Sequence, residues 1–264
     1  TVDKTTFDQT GAIQIQDVFK GLTANAGSEL ASDVTTRQGT SQFSLRGLGL
    51  GSTLTLINGR RAGLAPVAQD GGQLFSDVNQ YPVNMIRNVE VLTDGASATY
   101  GSEAVAGVVN IFTRDDFEGF ELTAEGRTSI VDSAQLGAAF GVQGERGGIA
   151  TFATFYTQDW ATREDIPNIN LGSTLADGTA GLWDSGTGSP GRFNAAVLDA
   201  NGNYQRAGNT LADPDCVAAG GILDGSNCRY HFLNQRRVIP AEKRFQIYTT
   251  ANYDVSDNFN AFAE

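Results

Sequence analysis

Between Phe120 and Asp254 the chain repeatedly alternates apolar and polar positions. Phe120, Leu122 and Ala124 interleave with Glu121, Thr123, Glu125 and Arg127, and Ala134, Leu136, Ala138, Phe140 and Val142 interleave with Gln135, Gly137, Ala139, Gly141 and Gln143. Ile149 to Trp160 puts Phe152, Tyr156 and Trp160 on one face, and Phe245, Ile247, Thr249, Ala251 and Tyr253 alternate with Gln246, Tyr248, Thr250, Asn252 and Asp254. Successive side chains of a strand point to opposite faces, so each segment reads as a strand with one face unlike the other. Upstream the pattern differs. Ile15, Val18, Phe19 and Leu22 fall at helical spacing with Gly21 as a stop, predicting a short packing helix over Ile13 to Leu22. Thr53 to Ile57, closed by Asn58-Gly59, then Val89 to Leu92 and Val108 to Phe112 read as strands. Pro82 opens a short helical turn over Val83 to Ile86. Residues 1–12 are polar and offer no pattern. The two halves predict a compact α+β domain over 1–116 and a strand-built domain over 117–264.

The alternating segments are about ten residues long, the length at which tilted strands cross a bilayer. A soluble β-sandwich also alternates. The connections favour a transmembrane antiparallel barrel: short turns at Gly144 to Gly147 and Ser256 to Asn258, against one long loop at about 161–242. Trp160 and Tyr156, at a strand end, suit an interfacial aromatic girdle. No run approaches the roughly 18 apolar residues of a membrane helix, so any crossing is by strands. The chain stops at Glu264 within a fifth such segment, and five strands do not close. The expectation is an incomplete barrel, or one completed by another polypeptide.

Charge and chemistry narrow the function. Lys+Arg 18 against Asp+Glu 30 gives a net charge of -12, which repels phosphate backbones and excludes nucleic acid as a partner. Gly47, Gly49 and Gly51 invite a dinucleotide reading, but Ser52 stands where a third loop glycine is needed and a strand follows where a helix should open. Their expected role is to permit a tight bend. Asp199, Asn201 and Asn203 imitate the start of a calcium loop, but the glycine falls fourth and the distal glutamate is missing, so a hairpin turn at Asn201-Gly202 is expected. Cys216 and Cys228 are the two cysteines; they form a bridge clipping a surface loop, which implies an oxidising compartment, or are unrelated thiols. His231 is the single histidine, so neither a zinc site nor a nucleophile–base pair is expected, nor any cofactor or enzymatic activity.

Three spaced blocks carry a resemblance: Ile86-Arg87-Asn88-Val89-Glu90-Val91-Leu92, then Tyr100-Gly101-Ser102, then Gly107-Val108-Val109-Asn110-Ile111. Together with Arg46-Gly47 and the strand closed by Asn58-Gly59, they resemble the plug domain of TonB-dependent outer-membrane receptors. The fold implied is an α+β plug domain followed by the first strands of a transmembrane barrel of about 22 strands. The Arg-Gly-Leu-Gly, Ile-Asn-Gly-Arg-Arg and Leu-Thr-Asp-Gly-Ala-Ser variants are most similar to alphaproteobacterial and xanthomonad members.

The resemblance implies TonB-dependent uptake of a scarce ligand, an iron chelate, oligosaccharide, peptide or vitamin, across the outer membrane. It also implies an exported chain whose leader has been removed. The partners implied are TonB with its inner-membrane ExbB/ExbD motor, outer-membrane lipid, and a surface lipoprotein. TonB grips a short N-terminal box by strand addition, for which Thr1-Val2-Asp3-Lys4 is the only candidate tail. Gln69, Asp70 and Gln73, on the segment expected at the outward top of the plug, are candidate ligand contacts, as are Trp183, Tyr204 and Tyr230 in the long extracellular loop. Arg46 is the candidate plug-to-barrel anchor. The family's second locking arginine is replaced by Thr93, so of the two-arginine lock only Arg46 is retained. The rival reading is a soluble extracellular binding or adhesion module of α+β and β domains.

Overall fold

The computed structural model describes residues 1–19, 25, 39–49, 51–66, 74–162, 165–166, 190–230 and 237–264. The N-terminal domain opens with β1 (Val2–Asp3), α1 (Lys4–Thr10) and α2 (Ile15–Phe19). It continues with β2 (Thr53–Ile57), β3 (Arg60–Arg61), β4 (Ile86–Leu92), α3 (Ser97–Tyr100) and β5 (Gly107–Thr113). These strands form one five-stranded sheet in the order β1-β4-β5-β2-β3. β2 runs parallel to β5, while β1, β4 and β3 pair antiparallel. The N-terminal residues that carried no sequence pattern are thus structured: Val2 pairs with Val89 at the sheet edge, a role two residues long and invisible to any periodicity. α2 is shorter than the predicted helix, and residues 20–22 of that prediction lie outside the described set.

The alternating segments form β6 (Gly119–Arg127), β7 (Ser133–Gly144) and β8 (Gly147–Gln158), and then β15 (Glu242–Ser256) and β16 (Phe259–Ala263). They make a second, antiparallel sheet of five strands in the order β16-β15-β8-β7-β6. Two-residue turns at Glu145-Arg146 and Asp257-Asn258 close adjacent hairpins at the same end. Arg146 ties the two turns together by donating to the carbonyls of Asp254 and Val255 at 3.1 and 2.6 Å.

This sheet reverses the sidedness of a soluble protein. Phe120, Leu122, Leu136, Phe140, Phe245 and Ile247 are all more than half exposed, while Gln135, Thr154, Glu242 and Thr250 are buried. The buried face lies against the N-terminal domain. Ala139, Ala150 and Phe152 from β7 and β8 belong to the same apolar cluster as Phe19, Phe43, Met85, Val89 and Val109. Tyr156 corrects the sequence reading: it shares the buried face with Phe152 and is only 4% exposed, so it faces the N-terminal domain and not an outer girdle. Trp160 lies beyond the end of β8 and is exposed.

Residues 161–238 form a separate compact unit. Within it lie β9 (Ala161–Thr162), β10 (Arg192–Leu198), β11 (Tyr204–Ala212), β12 (Ile222–Asp224), β13 (Asn227–Arg229) and most of β14 (Arg237–Ile239). The segment expected as one long loop therefore contains two hairpins, β10–β11 and β12–β13. Gly202, at φ 80°, makes the predicted turn, and Asp199 closes it by accepting the backbone N–H groups of Asn201 and Asn203, both at 2.9 Å. Those bonds, that of Asn203 foremost, hold the Asp199 carboxyl below its ordinary pKa. Cys216 and Cys228 form a disulfide. Gly221 packs against both sulfurs, where a Cβ would lie 2.8 and 2.9 Å from them.

Gly107 opens β5 at φ 143°, and a Cβ there would overlap the Leu92 carbonyl oxygen and lie 2.7 Å from Leu45 Cδ1. Gly107→Ala is expected to destabilise the N-terminal domain by about 2 kcal/mol or more. Hydrogen-exchange protection of β4 and β5 measures this, and unchanged protection would mean that the backbone relaxes at little cost.

Candidate functional site

Chemistry concentrates where the N-terminal domain meets the buried face of the large sheet. Pro82, with its fixed φ, starts a single 3-10 turn over Val83–Met85 and aims Asn84 at β7 and β8. The Asn84 Nδ2 donates to the carbonyls of Ala138 and Ala153, at 3.0 and 3.2 Å, a register pair on those two strands. This approach requires Gly137, where a Cβ would overlap Thr123 Oγ1 and lie 3.3 Å from Asn84 Nδ2. Four residues further along the same face, a Cβ on Gly141 would overlap the Phe117 carbonyl. Gly137, Ala139 and Gly141 are thus a track of small residues on which the N-terminal domain and its connection rest.

The connection itself is held by charge. Arg114 donates to the Asn84 carbonyl at 3.1 Å, pairs with Glu121 at 2.8 Å and lies over the rings of Phe117 and Phe152. Arg114 is largely buried, a setting in which a bidentate guanidinium–carboxylate pair also fixes geometry. Gln143 donates to the carbonyls of Asp115 and Phe117 at 3.1 and 3.2 Å, and Arg87 pairs with Asp115 and Asp116. At the sheet margin, Arg60 and Asn58 both donate to Glu264 Oε1, at 2.7 and 2.9 Å. Arg127, ending β6, donates to the Gly11 carbonyl at 2.9 Å.

Further along the same face, Arg244 and Gln246 of β15 reach two segments of the N-terminal domain. Arg244 donates to the carbonyls of Gly39 and Asn79, at 3.2 and 3.4 Å, and Gln246 donates to the Asn79 carbonyl at 2.6 Å. Those segments are bound to each other. Asp77 accepts the Ser41 and Asn79 backbone N–H groups at 2.9 and 3.0 Å, and Asn79 Nδ2 donates to Ser41 Oγ at 2.9 Å. Burial raises the Asp77 carboxyl above its ordinary pKa, while the Ser41 and Asn79 N–H groups and the Arg244 charge oppose the rise.

The sequence candidates are distributed differently. Arg46 occurs at φ 57° and pairs with Asp94 at 3.5 Å, inside the N-terminal domain. The aspartate beside Thr93 thus engages the arginine nominated as an anchor. Gly47, Gly49 and Gly51 all have positive φ, which is the bend expected of them. Tyr204, 79% exposed, lies on the β10–β11 hairpin, whereas half-buried Tyr230 follows β13. Gln69, Asp70, Gln73, Trp183 and His231 lie outside the described residues. Asn84, Arg114, Arg244 and Gln246 were missed as interface residues. Strand parity carried a signal for Gln246, since it is out of phase with exposed Phe245 and Ile247; nothing in the sequence marks Asn84.

Residues 1–108 match the family model of the TonB-dependent receptor plug domain. The match falls on the N-terminal domain, and the five-stranded antiparallel sheet follows it. Among solved structures, the siderophore receptor PirA from Acinetobacter baumannii is 23% identical with a TM-score of 0.48, over 66% of this chain and 26% of that one. A mutant of the ferric enterobactin receptor PfeA from Pseudomonas aeruginosa is 17% identical with a TM-score of 0.47, over 97% of this chain and 33% of that one. The chain thus spans about a quarter to a third of the length of these receptors.

Two outcomes test the seam. Gly137→Val is expected to displace the Asn84 turn, read as a rise of about tenfold or more in hydrogen exchange at residues 83–85, the factor one or two lost buried hydrogen bonds carry. Asp77 predicts a pH dependence. Because its folded-state pKa is raised, its contribution to stability is full below the ordinary carboxylate range and is lost as pH rises through the folded value. Asp77→Asn keeps an acceptor for both N–H groups, so it is expected to abolish that fall. Thermal melts of wild type and variant across the acid range measure it, and parallel profiles would exclude Asp77 as the titrating group.

Proposed function

We propose that the chain is the plug and the first wall strands of a TonB-dependent transporter of the bacterial outer membrane, taking up a scarce ligand by displacing the plug. One observation carries this reading: the large sheet buries its polar and glycine-bearing face against the plug and presents Phe120, Leu122, Leu136, Phe140, Phe245 and Ile247 outward. In water such a continuous apolar face is an aggregation liability; in a bilayer it is the lipid-facing band of a barrel. The two-residue turns then lie in the periplasm and residues 161–238 outside the cell. TonB with ExbB/ExbD supplies the work. Gln69, Asp70, Gln73, Trp183, Tyr204 and Tyr230 are the proposed ligand contacts. The transporter is assigned to the alphaproteobacterial and xanthomonad group on its Arg-Gly-Leu-Gly and Leu-Thr-Asp-Gly variants.

Fractionation and uptake test the proposal together. The full-length protein is expected in outer membranes, released by detergent and not by salt. Accumulation of one ligand from a panel of iron chelates, oligosaccharides, peptides and vitamins is expected to require both this protein and TonB. Release without detergent would overturn the transporter and favour a soluble binding module. Membrane residence with no TonB-dependent uptake of any ligand would overturn the transport step.

A further inference from the structure

We infer that Arg244, kept neutralised by Glu242 on its own strand, is a wall-side clamp built to let the plug go without stranding a charge. The inference rests on the reading that the plug moves. Arg244 and Glu242 stand two positions apart on β15, so both face the plug, and they form an ion pair. The pair is largely buried, with side-chain exposures of 20% and 7%. Toward the plug, among the described residues, Arg244 offers its remaining donors to neutral groups only, the carbonyls of Gly39 and Asn79. One guanidinium thereby fastens two plug segments 40 residues apart, which Asp77, Asn79 and Ser41 already join into a single knuckle.

The consequence lies in what separation would leave behind. Breaking a buried ion pair leaves an uncompensated charge and is strongly destabilising, whereas lost hydrogen bonds to neutral carbonyls are replaced by water. If the plug withdraws, Arg244 keeps Glu242, and the carbonyls of Gly39 and Asn79 become hydrated. Separation also relieves existing deficits: Glu242 Oε1 and Asn79 Oδ1 are buried without a hydrogen-bond partner among the described residues. Glu242 Oε1 lies against Gly39, 3.3 Å from where a Cβ would stand. Asp77 is the plug carboxylate within electrostatic reach of Arg244, and its oxygen is occupied by two plug N–H groups. Arg244 is therefore a positioning residue, strong enough to seat the knuckle and already balanced when the knuckle leaves.

Two substitutions in the full-length protein should move plug retention in opposite directions. Arg244→Gln removes the clamp and is expected to raise hydrogen exchange at residues 39–41 and 77–79 by about tenfold or more, the factor charge-assisted hydrogen bonds carry. Arg244→Lys should give an intermediate value. Glu242→Gln leaves the guanidinium unbalanced, so it should bind the knuckle and Asp77 more tightly. Exchange at the same residues is then expected to fall, and uptake to slow with ligand affinity unchanged. Raised exchange in Glu242→Gln, or unchanged exchange in Arg244→Gln, would overturn the inference. Opposite shifts without uptake in any variant would leave the clamp standing and overturn the transport reading.

Discussion

The N-terminal domain and the large sheet share one apolar core, and the rest of the structure follows from that. Phe152, with Ala139 and Ala150 beside it, belongs to the large sheet yet is fully buried among Met85, Val89 and Val109 of the N-terminal domain. Burying such an aromatic side chain stabilises by roughly 2–3 kcal/mol, and it does so only while the two sheets are in contact. The contact needs close approach. A Cβ on Gly137 would lie 3.3 Å from Asn84 Nδ2, and one on Gly141 would overlap the Phe117 carbonyl.

A wall that buries its inner face on a plug must put its apolar residues elsewhere. Along β7 the exposed positions are Leu136, Phe140 and Val142, and the buried ones are Gln135, Gly137, Ala139 and Gly141. The same parity runs through β15, where Phe245 and Ile247 face out while Glu242 and Thr250 are buried. A buried polar face is tolerable only if its groups find partners. The N-terminal domain supplies some of them through the main-chain carbonyls of Gly39 and Asn79, and the connection supplies others through those of Asp115 and Phe117.

This division explains what could be read from sequence. Alternation over Phe120 to Asp254 exposed the strands and their two faces, because a period of two survives in composition. The β-branched runs at β2, β4 and β5, and the turns at Asn58-Gly59 and Asn201-Gly202, were legible for the same local reason. Tyr156 was misjudged because parity assigns a residue to a face and not to a neighbour: Phe152 and Tyr156 do share a face, but the plug covers it. Val2–Asp3 was illegible since its strand consists of one register step against β4. The Arg46–Asp94 pair was not legible, because an ion pair between two loop residues leaves no period in the sequence.

The least legible contacts are those in which a side chain binds a backbone. Asn84 reaches the carbonyls of Ala138 and Ala153, and Arg244 reaches those of Gly39 and Asn79. Carbonyls are present at every residue, so no residue type on the receiving side marks the site. The same property sets what parting these contacts would cost: a carbonyl released from a side chain is satisfied by water, whereas a carboxylate released from its arginine would be left as a bare charge in a partly dry interface. Ion pairs also span the seam: Arg60–Glu264 and Arg127–Asp17, each with a half-exposed arginine, lie at its margins, while Arg114–Glu121 and Arg87–Asp115 lie at the covalent connection between the N-terminal domain and the large sheet. That connection cannot separate, so the Arg114–Glu121 charges stay paired there whatever the rest of the seam does.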